Sequence, residues 1–218
     1  LGLGNTTDYS SPVQIGAITT WSNLTSGSAW TAATQQNGTL WAMGANGSGQ
    51  LGDGTTTNRS SPTQVGALTT WDKISAGTFF LLATKTDGTL WAQGMGGSGQ
   101  LGQGNTTNYS SPVQIGSLTN WSQVATATST SYALTTSGTL YAWGANYYGE
   151  LGLGNTTYYS SPVQIGALTN WSKIGASSFG CVAIKTDGTL WSWGRNQLGQ
   201  VGDGTTTDRS SPVQVGAL

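Results

Sequence analysis

A period of 50 residues runs through the whole sequence and limits what the chain can fold into. The segment LGLGNTTDYSSPVQIGA begins at residue 1, and close copies of it begin at residues 51, 101, 151 and 201 without insertion or deletion. The other half of the period occurs four times and carries Trp21, Trp71, Trp121 and Trp171. Residues 1–218 are therefore predicted to be a single array of four complete repeats and one additional first half.

Each period predicts four short strands. WSKIGA and its copies alternate apolar and polar residues, FLLATK and GCVAIK are continuous apolar runs, TLWSWG follows them, and PVQI comes last. Between the second and third strands, Asp87-Gly88 and Asp187-Gly188 supply the positive φ angles of a two-residue hairpin turn. The proline that begins each PVQI segment cannot donate to a central ladder, so this segment is predicted to start an outer edge strand.

A four-stranded antiparallel sheet repeated every 40 to 50 residues or so is typical of the blades of a β-propeller, and no helical periodicity is present. The fold class is therefore predicted to be all-β, and the repeated tryptophans are predicted to pack between neighbouring blades. Residues 76–115, AGTFFLLATKTDGTLWAQGMGGSGQLGQGNTTNYSSPVQI, resemble the repeat of the regulator of chromosome condensation family. The resemblance rests on the D-G, W-G-x-N and G-Q-L-G elements and extends over all the repeats.

The resemblance implies a propeller that usually has seven blades of four strands. Seven blades of this period would need about 350 residues, which is more than the chain contains. This favours a fragment of a longer array, with an oligomeric ring or an open superhelical fibre as the alternative. The family's histidine position is occupied here by Trp30, Phe80, Thr130 and Gly180, and the sequence has no histidine.

The composition argues against several classes of partner. Charged residues make up 7% of the chain, against about 25% in typical globular proteins, and the 7 basic and 8 acidic residues form no cluster. A nucleic-acid partner is therefore not expected. No apolar run approaches the roughly 18 residues of a membrane-spanning helix, so no membrane insertion is expected. The low charge favours an extracellular location or the surface of a cell or virion.

The sequence does not predict an enzyme, a cofactor site or a metal site. Without histidine, a serine or cysteine nucleophile would lack its commonest base, and Cys181 lies in an apolar strand. Zinc needs several Cys or His ligands, and no segment alternates oxygen ligands as a calcium loop does. Gly47, Gly49 and Gly52 have the spacing of a dinucleotide-binding turn, but a predicted strand follows them instead of a helix.

Two functions remain open. The first is a non-catalytic interaction module that contacts a protein or a glycan through aromatic residues at variable loop positions. The candidate contact residues are Trp30, Phe79, Phe80, Tyr147 and Tyr148. The second is a structural component of a virion, surface appendage or fibre, in which copies assemble into a ring or fibre.

A covariation within the repeats predicts how one loop is closed. Periods with Thr-Thr-Thr carry Asp53 and Arg59, or Asp203 and Arg209, whereas periods with Asn-Thr-Thr carry a tyrosine at the arginine position. Aspartate and arginine change together, as an ion pair requires. At an exposed site such a pair would contribute about 0 to 1 kcal/mol.

Overall fold

The computed structural model describes residues 2–216, which form sixteen β-strands and no helix. The strands belong to four separate sheets, here called blades 1 to 4 in chain order. Blade 1 contains β1 (Trp21–Ser26), β2 (Trp30–Gln35), β3 (Leu40–Gly44) and β4 (Arg59–Gln64). Blade 2 contains β5 (Trp71–Ala76), β6 (Phe80–Lys85), β7 (Leu90–Gly94) and β8 (Tyr109–Gln114). Blade 3 contains β9 (Trp121–Thr126), β10 (Thr130–Thr135), β11 (Leu140–Gly144) and β12 (Tyr159–Gln164), and blade 4 contains β13 (Trp171–Ser177), β14 (Gly180–Lys185), β15 (Leu190–Gly194) and β16 (Arg209–Gln214).

Every blade is an antiparallel sheet whose strands lie in chain order. The first strands of neighbouring blades contact each other, so they form the inner side of the array, and the fourth strand is the outer edge. The predicted position of this edge strand is confirmed, but its predicted start is wrong. In blade 1 it begins at Arg59, three residues before Pro62, because the ladder shifts between Ala42 and Gly44 and leaves the proline outside the register.

The hairpin turn between the second and third strands also joins neighbouring blades. Gly88 has a φ of +77°, but Asp87 does not have a positive φ, and β6 ends at Lys85 whereas β7 begins at Leu90. The predicted two-residue turn is therefore wrong: the loop is longer, and only its glycine has the left-handed conformation. The Gly88 carbonyl accepts a hydrogen bond of 3.0 Å from the backbone N–H of Trp121, in the next blade. A Cβ at Gly88 would lie 2.0 Å from the carbonyl oxygen of Thr119, so only glycine allows this close approach.

The hydrophobic core lies between the blades. Each blade has a forward face, toward the next blade in chain order, and a rear face, toward the preceding one. At the contact of blades 2 and 3, the forward face supplies Phe80, Leu82 and Leu90, and the rear face supplies Trp121 and Trp143. The prediction that the repeated tryptophans are core residues is confirmed for the first tryptophan of blades 2 to 4, which is at most 5% exposed. The second repeated tryptophan, present in blades 1, 2 and 4, is only partly buried. The confirmed residues are Trp71, Trp121 and Trp171, and the partly buried ones are Trp41, Trp91 and Trp191.

The first copy of the outer strand does not form a strand. Tyr9–Gln14 has the same sequence, YSSPVQ, as β8 and β12, yet residues 2–20 contain no strand. β8 pairs with β7, and β12 pairs with β11, which is the third strand of the same blade in each case. Residues 9–14 have no third strand beside them among the described residues. Pairing therefore decides the conformation of this sequence.

Two different side-chain pairs close the loop between the third and fourth strands. Arg59 Nη2 lies 2.6 Å from Asp53 Oδ2, and the same pair forms between Arg209 and Asp203. Where tyrosine replaces arginine, as at Tyr109, its hydroxyl accepts a hydrogen bond of 3.2 Å from the side chain of Asn105. The ion pair is confirmed. The expectation that the pair lies at an exposed site is wrong for the carboxylate, because the Asp53 side chain is only 5% exposed.

Candidate functional site

The loop that follows the third strand is held by a buried asparagine in blades 1, 3 and 4. In blade 3, Asn146 is fully buried, and its Nδ2 donates to the carbonyl oxygens of Asn155 and Thr157 at 3.0 and 2.9 Å. Its Oδ1 accepts from the N–H of Leu151 at 2.9 Å. Because these bonds connect both ends of the loop, the following two residues occupy a fixed position.

A glutamine or glutamate side chain accepts a hydrogen bond from the N–H of the second of these residues in all four blades, and it is buried in blades 1 to 3. In blade 3, the Oε2 of Glu150 accepts a hydrogen bond of 2.7 Å from the N–H of Tyr148. Glu150 is 3% exposed, and burial raises the pKa of its carboxyl group even though backbone N–H groups lower it. These hydrogen bonds therefore hold the residues at the tip of the loop in a fixed position.

The residues at the tip differ between the blades. Blades 1 and 2 have Gly-Ser at this position, blade 3 has Tyr147-Tyr148, and blade 4 has Gln197-Leu198. Tyr147 is 71% exposed, and its ring lies edge-on to that of Tyr148, with 5.1 Å between the ring centroids. The variable tip of blade 3 therefore presents a large aromatic surface to solvent.

Blade 4 extends this aromatic surface. The ring of Phe179, just before β14, lies 5.7 Å from that of Tyr148. The guanidinium carbon of Arg195, just after β15, lies 4.9 Å from the Tyr148 ring centroid and 5.3 Å from that of Phe179. Gln197 Oε1 accepts hydrogen bonds from Arg195 Nη2 and Nε at 2.8 and 3.2 Å. We call Tyr147, Tyr148, Phe179 and Arg195 the aromatic cluster.

The structure brings together only two of the five predicted contact residues, Tyr147 and Tyr148. The prediction that Trp30 and Phe80 form exposed contacts is wrong, because they are 3% and 0% exposed. Each begins the second strand of its blade and points into the forward face, which the next blade covers. Phe79 is 39% exposed, but the loop of the preceding blade carries glycine and serine, and no aromatic ring of the described residues stacks on it.

Sequence reasoning missed Phe179 and Arg195. Phe179 is the equivalent of Phe79, so the repeat alignment contained a signal for it. Arg195 occupies a position that is alanine or methionine in the other blades. Its importance follows from the contact between blades 3 and 4, which the sequence of one blade does not reveal.

No group of three or more His, Cys, Asp or Glu side chains within residues 2–216 is arranged to hold a metal ion. Cys181 is buried, and burial raises the pKa of its thiol well above the usual range. The glycines at positions 49 and 52 have positive φ and form the turn before the outer strand, as the sequence predicted. A search of the described residues found no helix capable of crossing a membrane.

Comparison with protein families gives a match over most of the chain. A model described as the regulator of chromosome condensation (RCC1) repeat matches residues 37–84, 87–134, 137–184 and 187–218. A second model of the same description matches residues 121–150 and 171–200. No curated protein sequence matches the chain.

Several solved structures share the fold. Human WBSCR16 superposes with a TM-score of 0.83 at 21% identity, over 93% of this chain and 55% of its own. Prp20p from Saccharomyces cerevisiae, described with its binding properties to Gsp1p and histones, has a TM-score of 0.83 at 21% identity, over 94% of this chain and 53% of its own. Yeast RCC1 (Prp20) bound to Kap60 has a TM-score of 0.82 at 20% identity, over 94% of this chain and 51% of its own. The chain spans about half the length of these proteins, and the similarity establishes its propeller fold.

Proposed function

Because the chain belongs to the regulator of chromosome condensation (RCC1) repeat family, we propose that it is a non-catalytic interaction module that binds another protein through the aromatic cluster. The observation that carries the proposal is the stacking of Tyr148, Phe179 and Arg195 at the contact of two blades. Binding of proteins is described for Prp20p, whose structure is reported with its binding to Gsp1p and histones. Prp20 also has a structure with Kap60.

The physical properties of the cluster favour a protein partner. Tyrosine and arginine are enriched among the residues that contribute most to protein–protein affinity, because they bury a large area and still form hydrogen bonds. Hydrogen bonds already fix the loop that carries Tyr148 and the guanidinium group of Arg195. Little conformational entropy is therefore lost on binding, which favours affinity.

Selection of a displayed random-peptide library on the whole chain would test the proposal. We expect peptides that bind the unmodified chain and lose affinity about tenfold or more for the double variant Tyr147→Ala/Tyr148→Ala, because two contact residues are removed. Arg195→Ala should weaken the same peptides. Affinities would be measured by isothermal titration calorimetry.

Two variants serve as controls. Leu198→Ala removes an apolar side chain, even more exposed than Tyr147, from the equivalent loop of blade 4, and Phe79→Ala removes the isolated phenylalanine of blade 2. Neither should change the affinity of the selected peptides. Peptides that bind the double variant as tightly as the unmodified chain, or a library that yields no binder, would contradict the proposal.

The alternative function is a structural component of a virion, surface appendage or fibre. The observation that favours it is the near identity of the repeats, which suits an extended and rigid array better than a single binding site. Binding of a glycan to the aromatic cluster and an extracellular or surface location stay predictions. Failure of the peptide selection together with self-association of the chain would favour the structural function.

A further inference from the structure

A pocket lies at the contact of blades 3 and 4, at the opposite ends of β14 and β15 from the aromatic cluster. Its volume is about 500 Å³, which is within the range of about 300 to 1,000 Å³ that is typical of small-molecule sites. We call it the interblade pocket. Among its lining residues, blade 3 supplies Leu153, Tyr159 and Gln164, and blade 4 supplies Trp171, Lys185, Trp191 and Ser211.

Lys185 is a buried lysine whose charge has no acceptor within the chain. It is 8% exposed, and its Nζ lies 3.5 Å from the ring centroid of Trp191 and 5.0 Å from that of Trp171. Among residues 2–216, its ammonium group forms neither an ion pair nor a hydrogen bond. Indole rings attract a cation, but they leave its N–H groups without acceptors. These donors are therefore available to an acceptor in the pocket.

The carboxylate of Asp187 does not supply this acceptor. Asp187 is exposed in the hairpin turn after β14, and its Oδ1 accepts hydrogen bonds from the hydroxyl and the N–H of Thr189 at 2.6 and 2.9 Å. These bonds lower the pKa of Asp187, and the charge of Lys185 contributes less to the same shift. The carboxylate is therefore held by the turn and forms no contact with the lysine.

The rest of the wall combines neutral polar groups with apolar surface. The equivalent of Gln164, which is Gln114, donates a hydrogen bond of 3.1 Å to the carbonyl of Gly116, but the amide of Gln164 has no partner among the described residues. The hydroxyl oxygen of Tyr159 accepts a hydrogen bond of 3.4 Å from Asn155, and its O–H is free to donate. Leu153, Tyr159 and Trp191 are only partly buried. The pocket therefore offers one cation, several hydrogen-bonding groups and an apolar wall.

The other internal contacts lack this combination. At the contact of blades 1 and 2, Lys85 lies 3.4 Å from the ring centroid of Trp91, but Asp53 and Arg59 occupy the positions of Leu153 and Tyr159. At the contact of blades 2 and 3, Tyr109 is present, but Thr135 occupies the lysine position. Among the three contacts within the described chain, only that of blades 3 and 4 has both the lysine and the tyrosine.

We propose that the interblade pocket binds a sugar that carries one carboxylate, such as a hexuronate. The carboxylate would pair with the ammonium group of Lys185 in charge-assisted hydrogen bonds. The sugar hydroxyls would bond to Gln164 and Ser211, and the carbon skeleton would pack against Leu153 and the ring of Tyr159. Inorganic phosphate or sulfate would leave this apolar wall unused. The proposal does not depend on the function of the aromatic cluster.

Isothermal titration calorimetry of the whole chain with sodium D-glucuronate tests the proposal. We expect saturable binding of one glucuronate at millimolar concentrations and binding of D-glucose that is at least about tenfold weaker, because glucose lacks the carboxylate. Absence of saturable glucuronate binding would overturn the proposal. Equal affinities for glucose and glucuronate would also overturn it.

Substitutions of two equivalent lysines locate the site. Lys185→Met keeps an apolar chain against the tryptophan rings and removes the charge, and it should weaken glucuronate binding about tenfold or more. Lys85→Met is the matched control, because Lys85 is 7% exposed and lies between Trp71 and Trp91 in the same way. It should leave the affinity unchanged. Equal losses in both variants, or a loss only in Lys85→Met, would overturn the assignment to the interblade pocket.

A second variant changes the wall without touching the lysine. Gln164→Ala removes an amide that has no partner among the described residues, so the fold should be unaffected, and glucuronate binding should weaken about threefold or more. An unchanged affinity would overturn the contact with Gln164. Circular dichroism of all three variants establishes that each one is folded.

N-acetyl-L-alanine distinguishes a sugar from the end of a peptide. It carries a carboxylate like that of a peptide C-terminus but none of the sugar hydroxyls. We expect it to bind more weakly than glucuronate, because it leaves the polar groups of the wall without partners. Tighter binding of N-acetyl-L-alanine would overturn the assignment of the pocket to a sugar.

Discussion

At the scale of single residues, a buried carboxylate closes the loop before the outer strand in blades 1 and 4. In blade 4, hydrogen bonds from Thr205 lower the pKa of Asp203 to about 2 from 3.8, while burial opposes the shift and Arg209 adds to it. Thr205 donates its hydroxyl and its N–H to Asp203 Oδ1 at 2.8 and 3.0 Å. The carboxylate is therefore favoured over the protonated acid in the folded chain.

The lowered pKa predicts how the contribution of Asp203 depends on pH. A carboxyl group with a lower pKa in the folded state stabilises the fold above 3.8, and this contribution is lost as the pH falls through about 2. Asp203→Asn should therefore lower the Tm at neutral pH. The difference in Tm between this variant and the unmodified chain should become smaller as the pH falls from 3.8 to about 2. Thermal unfolding followed by circular dichroism at a series of pH values measures this difference.

Asp72→Asn is the control for this prediction. Asp72 also forms an ion pair, with Lys73, but both side chains are exposed, by 41% and 51%. Its substitution should change the Tm less, because solvent screens an exposed pair. A Tm difference for Asp203→Asn that stays constant as the medium becomes acidic would contradict the assigned role of the carboxylate.

At the scale of elements, the hairpin turns have two separable functions. Gly88 and Gly188 occupy equivalent turns with φ of +77° and +84°. A Cβ at Gly88 would meet the carbonyl of Thr119 in the next blade, whereas a Cβ at Gly188 would meet no atom within 4 Å. At position 88, glycine is therefore needed both for the positive φ and for the close contact with the next blade. At position 188, it is needed only for the positive φ.

Alanine substitutions at the two turns should separate these requirements. Gly188→Ala is expected to lower the free energy of unfolding by about 1 kcal/mol, the cost of a left-handed backbone. Gly88→Ala should cost about 1 to 3 kcal/mol more, because the new methyl group forces the blades apart. Urea denaturation of both variants and of the unmodified chain measures these losses. Equal losses would contradict an interface role for Gly88.

At the scale of the whole molecule, contacts join each blade to its neighbours in the chain. Cys181 is the single cysteine of the sequence, and it lies in the core between blades 3 and 4. Its thiol is 3% exposed, so a thiol reagent reaches it only when these two blades separate. The labelling rate of Cys181 therefore reports the opening of one particular interface.

Substitutions at two equivalent interface positions test whether the blades separate independently. Trp193→Phe removes the hydrogen bond of 2.8 Å from Trp193 Nε1 to the carbonyl of Glu150, and it should accelerate labelling about tenfold. Gln93→Met removes the equivalent bond of 3.1 Å to Gln50 at the contact of blades 1 and 2. It should leave the labelling rate unchanged, because repeat arrays couple mainly nearest neighbours. Equal acceleration by both variants would indicate that the array opens as one unit.

The repeat, the strands and the turns could be predicted because their causes are local. Alternating side chains and the glycine of each hairpin turn act within a few residues, and comparison of the repeats within the chain identified the Asp53–Arg59 pair. The start of the outer strand was predicted wrongly, because it depends on pairing with the third strand. The burial of Trp30 and Phe80 could not be predicted in this way. Whether an aromatic residue at the start of a strand faces solvent depends on what the next blade places against it.

The period, the four-stranded repeat and the interaction of residues close in the chain follow from the amino-acid sequence, because they depend on backbone geometry and short-range hydrogen bonds. Which residues meet between blades depends on the packing of the folded chain. This packing joins Tyr148 to Phe179 and Arg195, and it buries Trp30 and Phe80 against the next blade. Burial and strand pairing depend on the neighbouring surface, and nearly identical repeats do not have identical neighbours.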